Sequence, residues 1–305
     1  MKINEIRHNQ TPLTFNELFK EYCLLYKNTL SEKTYQTKVY YYNKHFKEKY
    51  GNNIITDFKF KDAQLFVNEL LEKGLKPKTV KNIVNDFKVL FNYAIKNEYV
   101  NKNSFQYVEI PKFDNRIYFD FTEEEIKRFI RTALNYPDQK FRGIFTFLLH
   151  GRRLNEVLSL TWENIDFENE IYFIPPQINK ARRFMTYQMT SLLKDVLQRQ
   201  KILNQIQCPN SLYVFPSSVT CRKIQDIRKQ FKKLLKLAGI DKKMRIHDIR
   251  HLVASYSINY LGLSVEEVSY TLGHTSIEIT QRYINPRAEI SKKVVEKILN
   301  SVKGA

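Results

Sequence analysis

The 305-residue sequence predicts a mainly α fold with a small β-sheet, divided into an N-terminal helical bundle and a C-terminal α+β domain. Three observations carry that expectation. Apolar residues recur at helical spacing, with cap signals, through the first hundred positions. Periodicity then fails between Val100 and Asp120, and a pair of β-rich runs interrupts an otherwise helical second half.

In chain order, a tail over residues 1–12 precedes a bundle expected over 13–100. Thr14 with Glu17 forms a capping-box pattern that opens a helix running to about Lys27. Ser31 starts a second, with Tyr35, Val39, Tyr42 and Phe46 on one face and Gly51 as its stop. A third spans about Lys61 to Lys73. A fourth carries Val80, Ile83, Val84, Phe87, Leu90, Phe91 and Ala94 on one apolar face, and short helices so connected pack as a bundle. Residues 101–120 read as a linker, where Pro111 discourages helix at the residue before it.

The second domain is expected over 121–290. Thr122 with Glu125 caps a helix bearing Ile126, Phe129, Ile130 and Ala133, and helices follow from Lys140 to His150 and near Leu154 to Leu160. The runs Ile171–Ile174 and Phe184–Met189 flank a polar connection through Asn179, Lys180 and Arg182, which signals a hairpin. Everything after Thr190 reads as helical apart from the short run Leu212–Phe215. Residues 291–305 form a terminal helix and tail with Val294, Val295, Ile298 and Leu299 apolar.

The formal net charge is +18 and the pI about 9.6. Such a surplus repels itself unless a polyanion neutralises it, and nucleic acid does so with release of counterions. A Lys-rich coding bias is the alternative source of the charge. Cys23, Cys208 and Cys221 are few, odd in number and lack metal spacing, which suits a reducing cytoplasm and argues against a disulfide framework. The N-terminal residues show no apolar signal region and no run is long enough to span a membrane, so a cytoplasmic, nucleoid-associated protein with no membrane contact is expected.

Four polar groupings stand out for chemistry. Arg153 and Glu156 are three apart and share a helix face, where a paired Arg offers its planar donor fork to a phosphate. Alone, the pair reads as a surface ion pair. His247 and Arg250 are again one turn apart, a permanent cation beside a group that trades protons near neutrality. Leu272-Gly273-His274 follows a helix capped by Ser264 and Glu267, and Tyr283 comes nine residues after that histidine. Lys180 lies in the hairpin connection, with Arg182 and Arg183 close by. Singly, each has an ordinary packing or surface explanation.

Together, in this order and at these intervals, the groupings resemble the catalytic domain of the tyrosine recombinases, the family of phage integrases and Xer-type resolvases. The first domain resembles that family's helical core-binding domain, most of all in Lys76-Pro77-Lys78-Thr79-Val80 running into Phe91-x-x-Ala94. The resemblance implies that Tyr283 is the nucleophile, with Arg153, His247, Arg250 and His274 around the phosphate and Glu156 supporting Arg153. It implies that Lys180 is the hairpin lysine, with a register open by a residue or two because Tyr187-Gln188-Met189 replaces the family's usual Val-Pro-Leu. His150 likewise replaces a small hydroxyl residue before Gly151.

The implied activity is cleavage and rejoining of double-stranded DNA sites through a 3′-phosphotyrosyl intermediate and a Holliday junction, by a homo-tetramer without cofactor or metal. Mobile-element integration or excision and chromosome-dimer resolution are the implied roles. In the family the terminal helix packs into a neighbouring subunit; packing on its own domain is the alternative here. Arg222, Lys229, Lys232, Lys233 and Lys236 lie largely off the apolar stripe Ile224, Ile227, Phe231 and Leu235, and so offer either a DNA-gripping face or a solvated one. Type IB topoisomerase-like relaxation and DNA binding without catalysis are rival readings. A metal-dependent phosphohydrolase on His247-Asp248 would need further ligands that His8, His45 and His150 do not supply at helical spacing.

Overall fold

The computed structural model describes residues 12–113, 121–179, 181–273 and 276–281. The chain divides into two compact units, residues 1–115 and 116–305. Lys180, His274, Tyr283 and the expected terminal helix lie outside the described residues.

Unit 1 is built from α1 (Phe15–Tyr26), α2 (Glu32–His45), α3 (Lys47–Tyr50), α4 (Phe60–Glu72) and α5 (Pro77–Lys96). Thr14 and Glu17 form the expected reciprocal cap on α1, and Pro77 occupies the first turn of α5, where a missing N–H costs nothing. The second predicted helix breaks at Phe46, whose backbone leaves the helical region, and resumes as α3 before Gly51. Phe46 turns into the core there, with ring centroids 4.9 Å from Phe15 and 4.4 Å from Phe87. Burying such rings supplies much of the driving force for a small bundle.

The first part of the expected linker belongs to this core. Phe105 is fully buried, 5.3 Å from Phe87 and 5.4 Å from Phe91 between ring centroids. Ser104 Oγ donates to the Phe58 carbonyl at 2.8 Å, and Gln64 exchanges two hydrogen bonds with the Glu109 backbone. A single aromatic anchor, without periodicity, fixes this stretch.

Unit 2 runs α6 (Glu123–Leu134), α7 (Gln139–Leu149), α8 (Leu154–Leu158), a 3-10 turn (Trp162–Asn164), β1 (Ile165–Asp166), β2 (Ile171–Ile174), β3 (Met185–Gln188), α9 (Ser191–Gln207), α10 (Arg228–Leu237), α11 (Asp248–Asn259), α12 (Val265–Leu272) and α13 (Ile277–Gln281). Helix α7 is the centre of the unit, burying Ile144, Phe145, Phe147 and Leu148 and packing against α6, α8, α9 and α11. The antiparallel sheet has the order β1-β2-β3, with Tyr172 opposite both Ile165 and Tyr187. Strand β1, only two residues long, carries too short a pattern to be anticipated.

Two further expectations are corrected. The helix expected from Arg222 begins only at Arg228; Ile224 and Ile227 are buried all the same, in irregular chain that also holds isolated bridges from Tyr213 to Thr161 and from Pro216 to Lys223. Cys208 and Cys221, expected to be unpaired, are joined by a disulfide with their Cα atoms 5.4 Å apart. The fold brings the two ends of a loop together there, a proximity that no local spacing announces. Among the described residues, no helix is long and apolar enough to cross a membrane.

Candidate active site

The turn from α7 into α8 is the foundation of the site. Gly151 adopts φ +81°, and a Cβ there would lie 2.5 Å from a methyl carbon of Leu272, so conformation and space both require glycine. Two residues on, Arg153 caps α8. Its backbone N–H donates to Glu156 Oε2 at 2.8 Å, and its Nη1 donates to Oε1 at 2.8 Å. Glu156 is 1% exposed. The pair is therefore an internal clamp and not the solvated ion pair that its spacing also allowed. The carboxylate also sits in the first turn of α8, where the helix dipole favours negative charge.

Arg250, in the first turn of α11, is 4% exposed. Its Nη1 donates to the Gly151 carbonyl and its Nη2 to the Leu272 carbonyl at 2.5 Å. Arg250 thus ties the Arg153 turn to the end of α12, although the three segments are far apart in sequence. Helix α12 opens with the expected Ser264–Glu267 cap and closes at Gly273 with φ +61°. A Cβ on Gly273 would meet Tyr187 Oη at 2.6 Å, so strand β3 abuts the helix end.

His247 opens α11 with its ring exposed. Partial desolvation and the nearby charges of Arg250, Arg153 and Arg245 push its imidazole pKa down, while Asp248 opposes them. His251 packs edge-on against it at 5.2 Å, and burial with that neighbour pushes the His251 pKa down to about 4. Asp248, itself buried, accepts from the Arg245 backbone N–H and guanidinium at 2.8 Å each and holds the entry to α11. Burial acts to raise the Asp248 carboxyl, but Arg245 brings it below its ordinary value.

The structure therefore brings Arg153, Glu156, His247 and Arg250 together. Lys180 lies outside the described residues, yet the connection around it is well anchored. Asn179 is buried and its Nδ2 donates to the carbonyls of Pro175 at 2.7 Å and Arg183 at 2.8 Å. Asn155 of α8 donates to the Ile178 carbonyl at 3.2 Å, linking that connection to the Arg153 helix. Lys223 donates in turn to Asn155 Oδ1 at 2.7 Å, and burial lowers its pKa.

Arg152, Asn155 and Lys223 receive no role from the sequence, and Asp248 enters there only through the rival metal-dependent reading. For Arg152 one signal existed, a second charge beside Arg153 between the apolar residues Phe147–Leu149 and Val157–Leu158. Lys76 and Lys78, from the motif that resembles a core-binding domain and offered by that resemblance as DNA contacts, are exposed at the start of α5, with Lys78 Nζ 5.8 Å from the Phe113 ring centroid. Lys229, Lys232 and Lys233 line the exposed face of α10 opposite buried Phe231 and Leu234, and Arg222 is exposed in the irregular chain before it.

Comparison with known proteins agrees with this architecture. Residues 120–289 match the phage integrase family and residues 14–71 match the phage integrase N-terminal SAM-like domain. Tyrosine recombinase XerC of Chlamydia caviae is 24% identical over 244 residues, covering 77% of this chain and 76% of that protein. The Tn1549 transposon integrase in complex with a circular intermediate DNA shares the fold, with a TM-score of 0.72 at 18% identity over 94% of this chain and 99% of that one. A lambda integrase tetramer bound to a Holliday junction gives 0.69 at 16% identity, over 92% and 79%. With more than half of its residues matched to the family model and its helical first unit matched to the accompanying domain, the chain belongs to the phage integrase family, the tyrosine recombinases.

Proposed function

We propose that this recombinase cleaves and rejoins specific double-stranded DNA sites through a covalent bond from Tyr283 to the scissile phosphate, exchanging strands through a Holliday junction within a homo-tetramer. The observation that carries the reading is the shared anchorage of two guanidinium groups on one turn: Arg250 donates to Gly151, and Arg153 lies two residues beyond it.

A phosphodiester resists attack because its charge repels nucleophiles and its alkoxide leaves poorly. Arg153 and Arg250 hold the non-bridging oxygens and stabilise charge in the pentacoordinate transition state, and His274 adds a hydrogen bond to them. One such donor is commonly worth about 10² to 10³ in rate. A phenol with an ordinary pKa of about 10 stays protonated at neutral pH. His247, whose lowered pKa keeps its imidazole neutral there, accepts that proton as the Tyr283 oxygen bonds to phosphorus. The bond to the 5′ oxygen breaks and Lys180 protonates the leaving group. The resulting 3′-phosphotyrosine conserves the energy of the broken bond, so a 5′ hydroxyl of a second duplex reseals it by the reverse steps.

The net charge of +18 supports a polyanionic substrate, with Lys76, Lys78, Arg222, Lys229, Lys232 and Lys233 contacting backbone phosphates. The Xer name of one relative and the transposon origin of another support dimer resolution and mobile-element integration or excision as the candidate roles. The lambda integrase complex supports tetramer and junction. The test is to sequence DNA fragments that remain on the protein in SDS, and then to offer the recovered site as a nicked suicide duplex. Wild-type protein should trap it covalently. Tyr283→Phe should bind the duplex and form no adduct; an adduct in that variant assigns the nucleophile elsewhere.

A further inference from the structure

We propose that Arg152 is a positioning residue for the cleavage reaction, acting through His274. The proposal rests on the recombinase reading above. Arg152 is 2% exposed, yet among the described residues no carboxylate pairs with it. Its Nε and Nη2 donate to the His150 carbonyl at 3.2 and 2.9 Å, and Nη2 also donates to the Thr271 carbonyl. Its guanidinium carbon lies 3.5 Å from the centroid of the Tyr187 ring. That ring stacks in turn on Tyr172, 5.4 Å away across the strand pair.

A permanently charged group buried without a counter-ion is costly, and an apolar side chain would fill the same space at lower cost. The geometry points to what offsets that cost. Thr271 and Leu272 are the last residues of α12, where carbonyl groups lack partners within the helix and carry its negative end. Arg152 satisfies the first and Arg250 the second. The two guanidinium groups thereby lock the end of α12 against the Arg153 turn, and Arg152 alone also presses on strand β3 of the hairpin that leads back to Lys180.

Gly273, the residue after Leu272, is held between that lock and Tyr187 Oη, and His274 is next in the chain. Release of Arg152 would free the peptide that delivers His274 without removing any group assigned to the phosphate. Misplacement of a positioned group by about 1 Å costs on the order of a hundredfold in rate.

The experiment measures single-turnover adduct formation on the nicked duplex, together with DNA affinity and thermal unfolding. Arg152→Leu should slow adduct formation by about tenfold to a hundredfold while DNA affinity stays within about twofold. In a His274→Ala background, followed over hours, the same substitution should add less than about twofold, because groups that act through one another do not multiply. A general loss of packing would multiply the two losses instead, which overturns the proposal. So does an Arg152→Leu cleavage rate within about twofold of wild type. Where Arg152→Leu does not fold, Arg152→Lys decides on the same terms, since it keeps the charge but loses the planar fork and the stack. Wild-type protein that forms no adduct at all sinks the recombinase reading, whereas normal wild-type cleavage with an indifferent Arg152→Leu sinks only the role of Arg152.

Discussion

Arg250 Nη2 donates to the Leu272 carbonyl oxygen at 2.5 Å while Nη1 of the same guanidinium donates to the Gly151 carbonyl, so one buried side chain joins the start of α11, the end of α12 and the turn from α7 into α8. Only a planar fork reaches both carbonyls at once and still presents an edge to a phosphate. Arg250→Lys is therefore expected to lower the adduct-forming rate by about 10² to 10³. DNA affinity, set by many phosphate contacts, should change little. Quench-flow trapping on the nicked duplex and a gel-shift titration check both halves, and a large affinity loss with normal cleavage would contradict the assignment.

Glu156 meets Arg153 through both carboxylate oxygens, one on the backbone N–H and one on the guanidinium. Glu156→Gln keeps one acceptor and loses the charge. The cost expected is about 1.5 to 3 kcal/mol of unfolding free energy, the range for hydrogen bonds to a charged group. Urea denaturation at fixed pH measures it; an unchanged midpoint would show that the clamp adds nothing to the fold.

At Gly273 two constraints coincide, φ +61° and a Cβ position 2.6 Å from Tyr187 Oη. Gly273→Ala should therefore destabilise the protein by more than the roughly 1–2 kcal/mol of left-handed strain alone. Adding Tyr187→Phe removes the hydroxyl and should recover the contact part but not the strain. A double variant no more stable than Gly273→Ala would locate the clash elsewhere.

Spacing along one helix was readable from sequence, and so were the groups that depend on it. Arg153 with Glu156, the Thr14, Thr122 and Ser264 caps, and the β2–β3 hairpin all rest on contacts within a few residues or on strand alternation. The Arg152 brace was not readable, because its partner Thr271 is 119 residues away. Phe105 misled for a related reason: one aromatic side chain inserted into a distant core leaves no period, so its segment resembled a linker. Ile224 and Ile227 carried the right apolar spacing for the wrong element, since burial in irregular chain and burial under a helix select the same residue types. The encounter of Cys208 with Cys221 likewise belongs to the fold of the loop between them.

The two histidines of α11 predict a pH-dependent stability. The ordinary His value is 6.5, the folded value of His251 is about 4, and that of His247 is also lowered. Between those values the unfolded chain binds protons that the folded chain does not. Stability therefore rises with pH across this window and is lost as pH falls from about 6.5 towards about 4. Denaturant midpoints measured through that range should climb with pH, and His251→Gln should flatten the climb. A profile unchanged by the substitution would place the titrating groups elsewhere.

The Cys208–Cys221 disulfide closes a loop that contains Val214 and Phe215, both fully buried in the core of unit 2. A crosslink over a separation of 13 residues restricts the unfolded chain, which on the loop-entropy account is worth about 3 kcal/mol. Oxidised protein should therefore unfold at higher urea than protein held in dithiothreitol. Cys221→Ser is expected to match the reduced form and to be indifferent to the reductant, because the bond that the reductant cleaves is no longer there. Peptide mapping without reduction identifies the linked pair independently. Should that mapping find both thiols free in protein purified in air, the stability difference is expected to vanish with the bond.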